Sequence, residues 1–529
     1  GGNYVLANDI DLTADLAAVN GKYPGLWSEA GFVPLGTDGN GGRLNSGKGV
    51  TGNFDGMEHG IAGLVINRPL ANYVGLFGWQ TGSTISRIGL VGVSVSGKGY
   101  VGGLVGYQRG GSLTQSYVTG SVGGNSYVGG LMGYEDFGSS ITQSHATGSV
   151  DGISYVGGLV GRQDGGSIAQ SYATSSVSGD AFVGGLAGDQ FQSGSIAQSY
   201  ASGAVNGNSN VGGLVGNQFF GRIAESYATG NVSGTTNVGG LVGNQRASSI
   251  TAGYWDSYTT GQSAAVGNSA NAAGASEVTS DPAQSGAANY AFAKGAYANF
   301  TFATGPVTTA GADGWVWAGA GTRPFLAWEV PTAPAGGGPA VIRNAHQLQL
   351  INAGDLGGNY VLANDIDLTA DLAAAGGKYP GMWSEAGFVP LGTGGRDEFV
   401  NVLNSSKGFA GQFDGRGYAI AGLVINRPLA YYVGLFGFQG GGTISRIGLT
   451  GGSVIGHSNV GGLVGYQQLG SIDQSYATGN VSGRGFVGGL IGFSSHGSIA
   501  QSYAAGSVSG DGSVGGLVGG QSDGSIAQG

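Results

Sequence analysis

The tetrapeptide V-G-G-L returns at Val101, Val128, Val156, Val183, Val211 and Val238, at spacings of 27 or 28 residues. A second series starts at Val460, Val487 and Val514, and the variants at Val74 and Val433 precede the two series. A fixed period in this range is the mark of a solenoid, in which each repeat buries its apolar face against its neighbours. The period also settles what composition leaves open. Gly is 115 of 529 residues and charged residues are 9%. An aperiodic chain of that makeup would be suspected of disorder. Here valine, leucine, isoleucine and tyrosine recur at fixed places, so there is apolar material to bury.

Each repeat reads as one coil with three short strands, "YVGGLVGY", "SLTQSYVT" and "GSVGG" in the coil from Tyr100. Gly pairs and Ser, Asn or Asp mark the corners, where φ > 0 or a sharp bend is needed. β-Branched and aromatic residues alternate with small ones, and glycine interrupts every stretch that could be helical. The expected fold is all-β: a right-handed parallel β-helix of about 27 residues per coil, with rungs ~4.8 Å apart.

A longer repeat encloses the short one. "GGNYVLANDIDLTADLAA" at Gly1 returns at Gly357, and "GLVINRPLA" at Gly63 returns at Gly422. The sequence reads as about one and a half copies of a unit near 357 residues, a window on a longer tandem array. The organisation expected is a first β-helix over 1–256, with short-repeat coils from about 74. An Ala/Gly/Trp-containing irregular or small β module over 257–330 follows. A Pro/Gly linker over 331–340 leads to a second β-helix over 341–529, a truncated copy of the first. "NAHQLQLINAG" gives a capping helix at about 344–353, with Asn344 as N-cap.

Stacked coils make ladders. Leu104, Leu131, Leu159, Leu186, Leu214 and Leu241 are expected to point inward. Tyr117, His145, Tyr172, Tyr200 and Tyr227 form an aromatic row. Gln115, Gln143, Gln170, Gln198 and Glu225 lie two residues before these rings, on the same strand face. A further polar row is Gln80, Gln108, Glu135, Gln163, Gln190, Gln218 and Gln245. Amides in register can bond to each other along the axis.

V-G-G-L-V-G at 27-residue spacing, with "GNYVLANDIDLTA", "GFVPLGT" and "YWDSYTTGQSAAVG", resembles the GLUG repeat and accompanying blocks of bacterial filamentous-haemagglutinin-like exoproteins. The resemblance implies a secreted β-helical adhesin or surface fibre, exported through an outer-membrane secretion partner. It supplies no catalytic residue.

The remaining signals narrow the function. Net charge is −10 and basic residues are scattered. A nucleic-acid surface needs clustered Lys and Arg, so nucleic acid is not an expected partner. There is no cysteine. No apolar run reaches the ~18 residues of a membrane span. No metal, cofactor or catalytic residue is expected. Asp9, Asp11 and Asp15, repeated as Asp365, Asp367 and Asp371, could form a cation or acid/base site or a polar corner ladder of Asn and Asp, and the second reading is preferred. His59 is matched by Tyr418 in the other copy, which argues against an imidazole mechanism.

All length variation between coils falls in one corner, "YQRGGS", "YEDFGSS", "RQDGGS", "DQFQSGS", "NQFFGR" and "NQRASS". Insertions mapped to one edge of a solenoid often form its binding face. The candidate binding residues there are Arg109, Asp136, Phe137, Arg162, Asp164, Phe191, Phe219, Phe220 and Arg246. Glu135 and Asp189 lie in the same stretch. The expected function is a structural, adhesive extracellular fibre, on the cell surface or in a biofilm matrix. Its expected partners are a glycan or protein of a host or neighbouring cell, or copies of itself. The alternatives are a carbohydrate-binding β-helix using these corners and, further off, a polysaccharide lyase or hydrolase.

Overall fold

A computed structural model describes residues 1–17, 26–269, 272–393 and 408–527. The chain is a parallel β-solenoid of about 17 turns, with roughly 27-residue spacing and about 5% helix. It divides into two compact units, Gly1–Tyr290 and Ala291–Gly529. The segment expected as one module over 257–330 is shared between them.

In unit 1 the coil from Ser154 shows the plan. Its strands are Ser154–Gly157, Val160–Asp164, Ser167–Ala169, Tyr172–Ala173 and Ser176–Ser178. Each pairs in parallel with the next coil, as Val156 with Val183, Gln163 with Gln190, Ile168 with Ile196, Tyr172 with Tyr200 and Val177 with Val205. This coil has five short strands, while the coils from Gly99 and Ser126 have the expected three, as in Gly99–Gly102, Val105–Thr114 and Tyr117–Gly123. Two of the three expected strands are broken by bends. "YVGGLVGY" bends after its glycine pair, and the "SLTQSYVT" type bends at its glutamine, which adopts φ +48° in Gln170.

The glycine pair is there for close approach. A Cβ on Gly157 would lie 2.0 Å from the Val160 carbonyl oxygen, and one on Gly158 would lie 2.1 Å from that of Gly185. The left-handed backbone falls instead on Tyr155 and Gln170 and on their counterparts in other coils. The bend at glutamine displaces the next backbone N–H from its rung partner. A serine repairs this. Ser171 donates its hydroxyl to the Ala169 carbonyl at 2.8 Å and accepts the Ser144 N–H from the coil before at 3.2 Å. Ser116, Ser144 and Ser199 relay in the same way. A buried N–H left unpaired costs about 1–3 kcal/mol, so the serine is part of the fold.

Leu104, Leu131, Leu159, Leu186, Leu214 and Leu241 fill the core and exclude solvent completely. The aromatic row stacks: Tyr117 on His145 at 5.1 Å, His145 on Tyr172 at 4.6 Å, Tyr172 on Tyr200 at 4.8 Å and Tyr200 on Tyr227 at 5.0 Å. A short helix, Ser257–Thr260, follows strand Ser249–Asp256, its Asp256 N-cap also accepts the Ser280 N–H, and strand Ala275–Val278 adds a further rung beyond it.

Unit 2 repeats the plan in five parallel stacks of 7, 5, 4, 4 and 4 strands. An antiparallel pair, Trp315–Val316 with Phe325–Leu326, precedes them. The helix Ala345–Gln349 follows strand Ala340–Ile342, and Asn344 accepts the Gln347 N–H at its start.

Candidate functional site

The variable corner of unit 1 is built on the strand that follows each V-G-G-L. Pairing puts Arg109 beside Asp136, and sets Asp164, Phe191, Phe219 and Arg246 in one column along the axis. These side chains are engaged with one another. Asp136 accepts the Tyr107 hydroxyl at 2.7 Å and lies 3.7 Å from the Arg109 Nε. Asp164 accepts the Tyr134 hydroxyl at 2.8 Å. The Arg162 guanidinium sits 3.4 Å from both Asp164 and Asp189 and 4.5 Å over the Phe191 ring. Phe191 stacks on Phe219 at 5.2 Å, and Arg246 lies over Phe219 at 5.6 Å. The two phenyl rings are thus stacked on each other and flanked by guanidiniums, and Phe220 meets Phe219 edge-on at 4.5 Å. Arg109, Phe137, Phe220 and Arg246 remain exposed.

Burial shapes the electrostatics. It pushes the Asp189 carboxyl up, while the Asn217 hydrogen bond and the Arg162 charge pull it down. The Tyr107 and Tyr134 hydroxyls are raised by burial first and then by their carboxylate partners, so both remain protonated donors at neutral pH.

Glu135 is not a corner residue. It belongs to the amide row Gln80, Gln108, Glu135, Gln163, Gln190, Gln218, which is wholly buried. Gln190 donates to Gln163 Oε1 at 3.1 Å and to the Arg222 carbonyl at 3.1 Å. Burial holds the Glu135 carboxyl well above its ordinary range, and the Ser167 backbone and Gln163 side chain offset this only in part.

Sequence reasoning missed two further columns. Tyr73, Tyr100, Tyr127, Tyr155 and Phe182 stack at 4.8–4.9 Å, all with positive φ. Beside them Trp79, Tyr107 and Tyr134 stack at 3.9 and 5.0 Å. In later coils the same two positions carry Asn210 and Asn237, and Asp189, Asn217 and Asn244, which bond along the axis. The signal was the residue before each V-G-G-L and the residue before each buried glutamine.

The acidic groups weighed for catalysis accept backbone N–H groups, within a turn or from the next coil. Asp11 and Asp367 accept the N–H groups of Thr13 and Thr369, and Asp9 and Asp365 accept those of Gly60 and Ala419. His59 lies 3.2 Å from Asp9. Asp55 and Asp414 accept the N–H two residues on, and each pairs with an arginine, Arg87 or Arg446. Among the described residues no group of three His, Cys, Asp or Glu is placed to hold a metal.

The family model of the GLUG motif matches residues 97–123, 152–178, 207–233 and 456–482. Each match spans a single coil of the solenoid, running from a glycine ahead of one V-G-G-L into the last strand of that coil. No curated protein matches. Among solved structures the chain is similar to a protein from Bacteroides ovatus named as a candidate immunoglobulin A1 protease. The identity is 21%, the match covers 47% of this chain and 78% of that one, and the TM-score is 0.32.

Proposed function

We propose that the chain is a structural, adhesive element of an extracellular fibre, of the filamentous-haemagglutinin-like kind, and that it has no catalytic role. The observation that carries this reading is the direction of the polar groups. Amide, hydroxyl and aromatic side chains pair with the coil above or below, as in Gln115–Gln143, Ser112–Thr84 and Asn217–Asp189. Such contacts stiffen a rod along its axis. A surface hollow of about 520 Å³ in unit 2 is open and lined by Thr369, Leu372, Ala373, Gly422, Thr450 and Gly451 among others, none of its described lining residues being an acid or histidine. In this reading the protein is secreted or displayed at the cell surface through an outer-membrane partner. It binds a surface glycan or protein, or copies of itself, through its corners. The test joins two measurements: resistance of the purified protein to protease, and retention of cells on a surface coated with it. Rapid digestion, or coated surfaces that hold no more cells than bare ones, would overturn the proposal, as would sustained turnover of a polysaccharide.

A second reading is favoured by the exposed rings of Phe137 and Phe220. Sugars stack on ring faces, and Phe191 and Phe219 already spend theirs on each other and on guanidiniums. A glycan-binding module would depend on Phe137 and Phe220. Glycan binding that disappears in Phe220→Ala, with Phe219→Ala as the comparison, would select this reading over pure scaffolding.

A further inference from the structure

The two ring columns on one edge of unit 1 form a continuous path. The outer column, Tyr73, Tyr100, Tyr127, Tyr155 and Phe182, is half-buried. It meets the inner column of Trp79, Tyr107 and Tyr134 edge-on: Tyr100 lies 5.6 Å from Tyr107, and Tyr127 lies 5.4 Å from Tyr134. With the stacking inside each column, every ring adjoins another from Tyr73 to Phe182.

Holding the coils together does not require these rings. In later coils Asn210 and Asn237 take the outer position and Asn217 and Asn244 the inner one, and the rungs there pair in the same register. The outer rings also occupy backbone that suits them poorly. Tyr73, Tyr100, Tyr127 and Tyr155 have φ between +54° and +61°, a left-handed conformation that asparagine adopts more readily than tyrosine. Rings held against local preference point to a use beyond packing.

The inner tyrosines carry a second device. The Tyr107 hydroxyl donates to Asp136 Oδ2 at 2.7 Å, and the Tyr134 hydroxyl donates to Asp164 Oδ2 at 2.8 Å. A phenol gives up an electron with difficulty while it keeps its proton, because the product is a cation. A carboxylate at hydrogen-bond distance takes the proton as the electron leaves, and the ring becomes a neutral radical. Charge sorts the sites. The Arg43 guanidinium lies 4.3 Å over Trp79 and opposes a positive hole there. Asp164 is paired at 3.4 Å with the largely buried Arg162, which makes it the poorer base. Asp136 meets the exposed Arg109 at 3.7 Å, a contact that water screens. Sulfur, the usual first target of oxidants, is scarce: the chain has no Cys and three Met, of which Met132 and Met382 are buried.

We propose that Tyr107 is a one-electron oxidation site, fed through the ring columns by an outer-sphere oxidant in solvent. One electron passes from the rings to the oxidant, which is reduced by one electron. The Tyr107 Oη–H bond breaks, and its proton moves to Asp136. A one-electron reductant that returns the electron brings the proton back to Oη, so the site stores an oxidising equivalent reversibly.

The experiment oxidises the full chain with photogenerated tris(bipyridine)ruthenium(III) and reads the product by freeze-quench electron paramagnetic resonance. A neutral tyrosyl radical is expected, forming more slowly in heavy water than in light water. Tyr107→Phe, which keeps the ring stack, and Asp136→Asn, which keeps the side-chain shape, should each lose most of the signal. Tyr4→Phe, at an exposed tyrosine outside the columns, should lose none. Thermal melts confirm that each variant is folded. A signal of parental size in Tyr107→Phe overturns the proposal by placing the radical on another ring. A signal of parental size in Asp136→Asn overturns it by removing the base, as do equal rates in the two waters or the absence of any tyrosyl radical.

Discussion

Gln190 and Gln198 stand in the same coil of unit 1, each in a column of amides, yet the two columns do different work. Gln190 is wholly buried and bridges Gln163 in the coil before to the Arg222 carbonyl in the coil after. Gln198 sits at a left-handed bend, φ +45°, half-buried, and reaches Glu225 at 3.4 Å. Each column contains one glutamate in place of glutamine: Glu135 in the inner one and Glu225 in the outer one. The same substitution has different consequences because a carboxylate in the core has lost its water and one at the bend has not. The inner column fastens coils. The outer column decorates a bend whose geometry is fixed by something else.

The inner column is the place to break the molecule. Gln190→Ala removes two hydrogen bonds of a wholly buried amide and leaves a cavity beside Gly221, in the space the Gln190 side chain fills. A loss of about 2–4 kcal/mol is expected. Chemical denaturation of unit 1 would measure it, and a loss no larger than that of an outer-column variant would erase the distinction.

What fixes the outer bend is serine, and Ser199→Ala tests that. It orphans the Ser171 N–H, which the Ser199 oxygen now accepts at 3.2 Å. The expected cost is about 1–3 kcal/mol. The neighbouring half-buried amide of Gln198 should lose less, and Ser199→Thr should recover part of the cost by restoring the hydroxyl.

A smaller effect at neutral pH, growing with pH, is expected at Glu135. Its carboxyl is raised above the ordinary 4.5 by burial. The folded chain therefore holds this proton more tightly than the unfolded chain does. The associated stability is present below the ordinary carboxyl range and is lost as pH rises through the raised value. Glu135→Gln removes the titration and restores the amide row. The variant should melt higher than the parent at pH 9 and close to it at pH 4, with Glu225→Gln as the control. Parallel pH profiles for parent and Glu135→Gln would show that the inner position is no drier than the outer one.

These differences mark how far the sequence can be read. Repeats of 27 or 28 residues bring like residues into register, so Leu104 over Leu131 over Leu159 is legible as a core ladder before any coordinates. The side on which the glutamines fall is not. Period-two reasoning places Gln115 and Tyr117 on one strand face, and the left-handed Gln115 ends one strand so that Tyr117 starts another. Parity does not carry across such a bend, which is also why the strand bounds differ from those read in the sequence. The corner was found by its length variation. The partners of Asp136 and Asp164 were not, because Tyr107 and Tyr134 lie in neighbouring coils, 29 and 30 residues away. The serine relay has no signal of its own, since serine is also a common turn residue.

The least effect is expected at the most conspicuous outer position. Gln115 is exposed, has φ +48°, and gives one amide bond to Gln143 at 3.1 Å. Gln115→Gly relieves a left-handed conformation that costs a non-glycine residue about 1–2 kcal/mol. It loses an exposed hydrogen bond of about 0.5 kcal/mol and adds backbone freedom to the unfolded chain worth about 0.5–1 kcal/mol. The terms nearly cancel, and stability should change by less than about 0.5 kcal/mol. Gln115→Val keeps the strain, adds a β-branch that fits the left-handed region poorly, and should lose about 1–2 kcal/mol. Glycine tolerated and valine penalised would show that the outer column is selected for its backbone. The reverse order would mean that the amide ladder holds the bend, and that the two columns are one device after all.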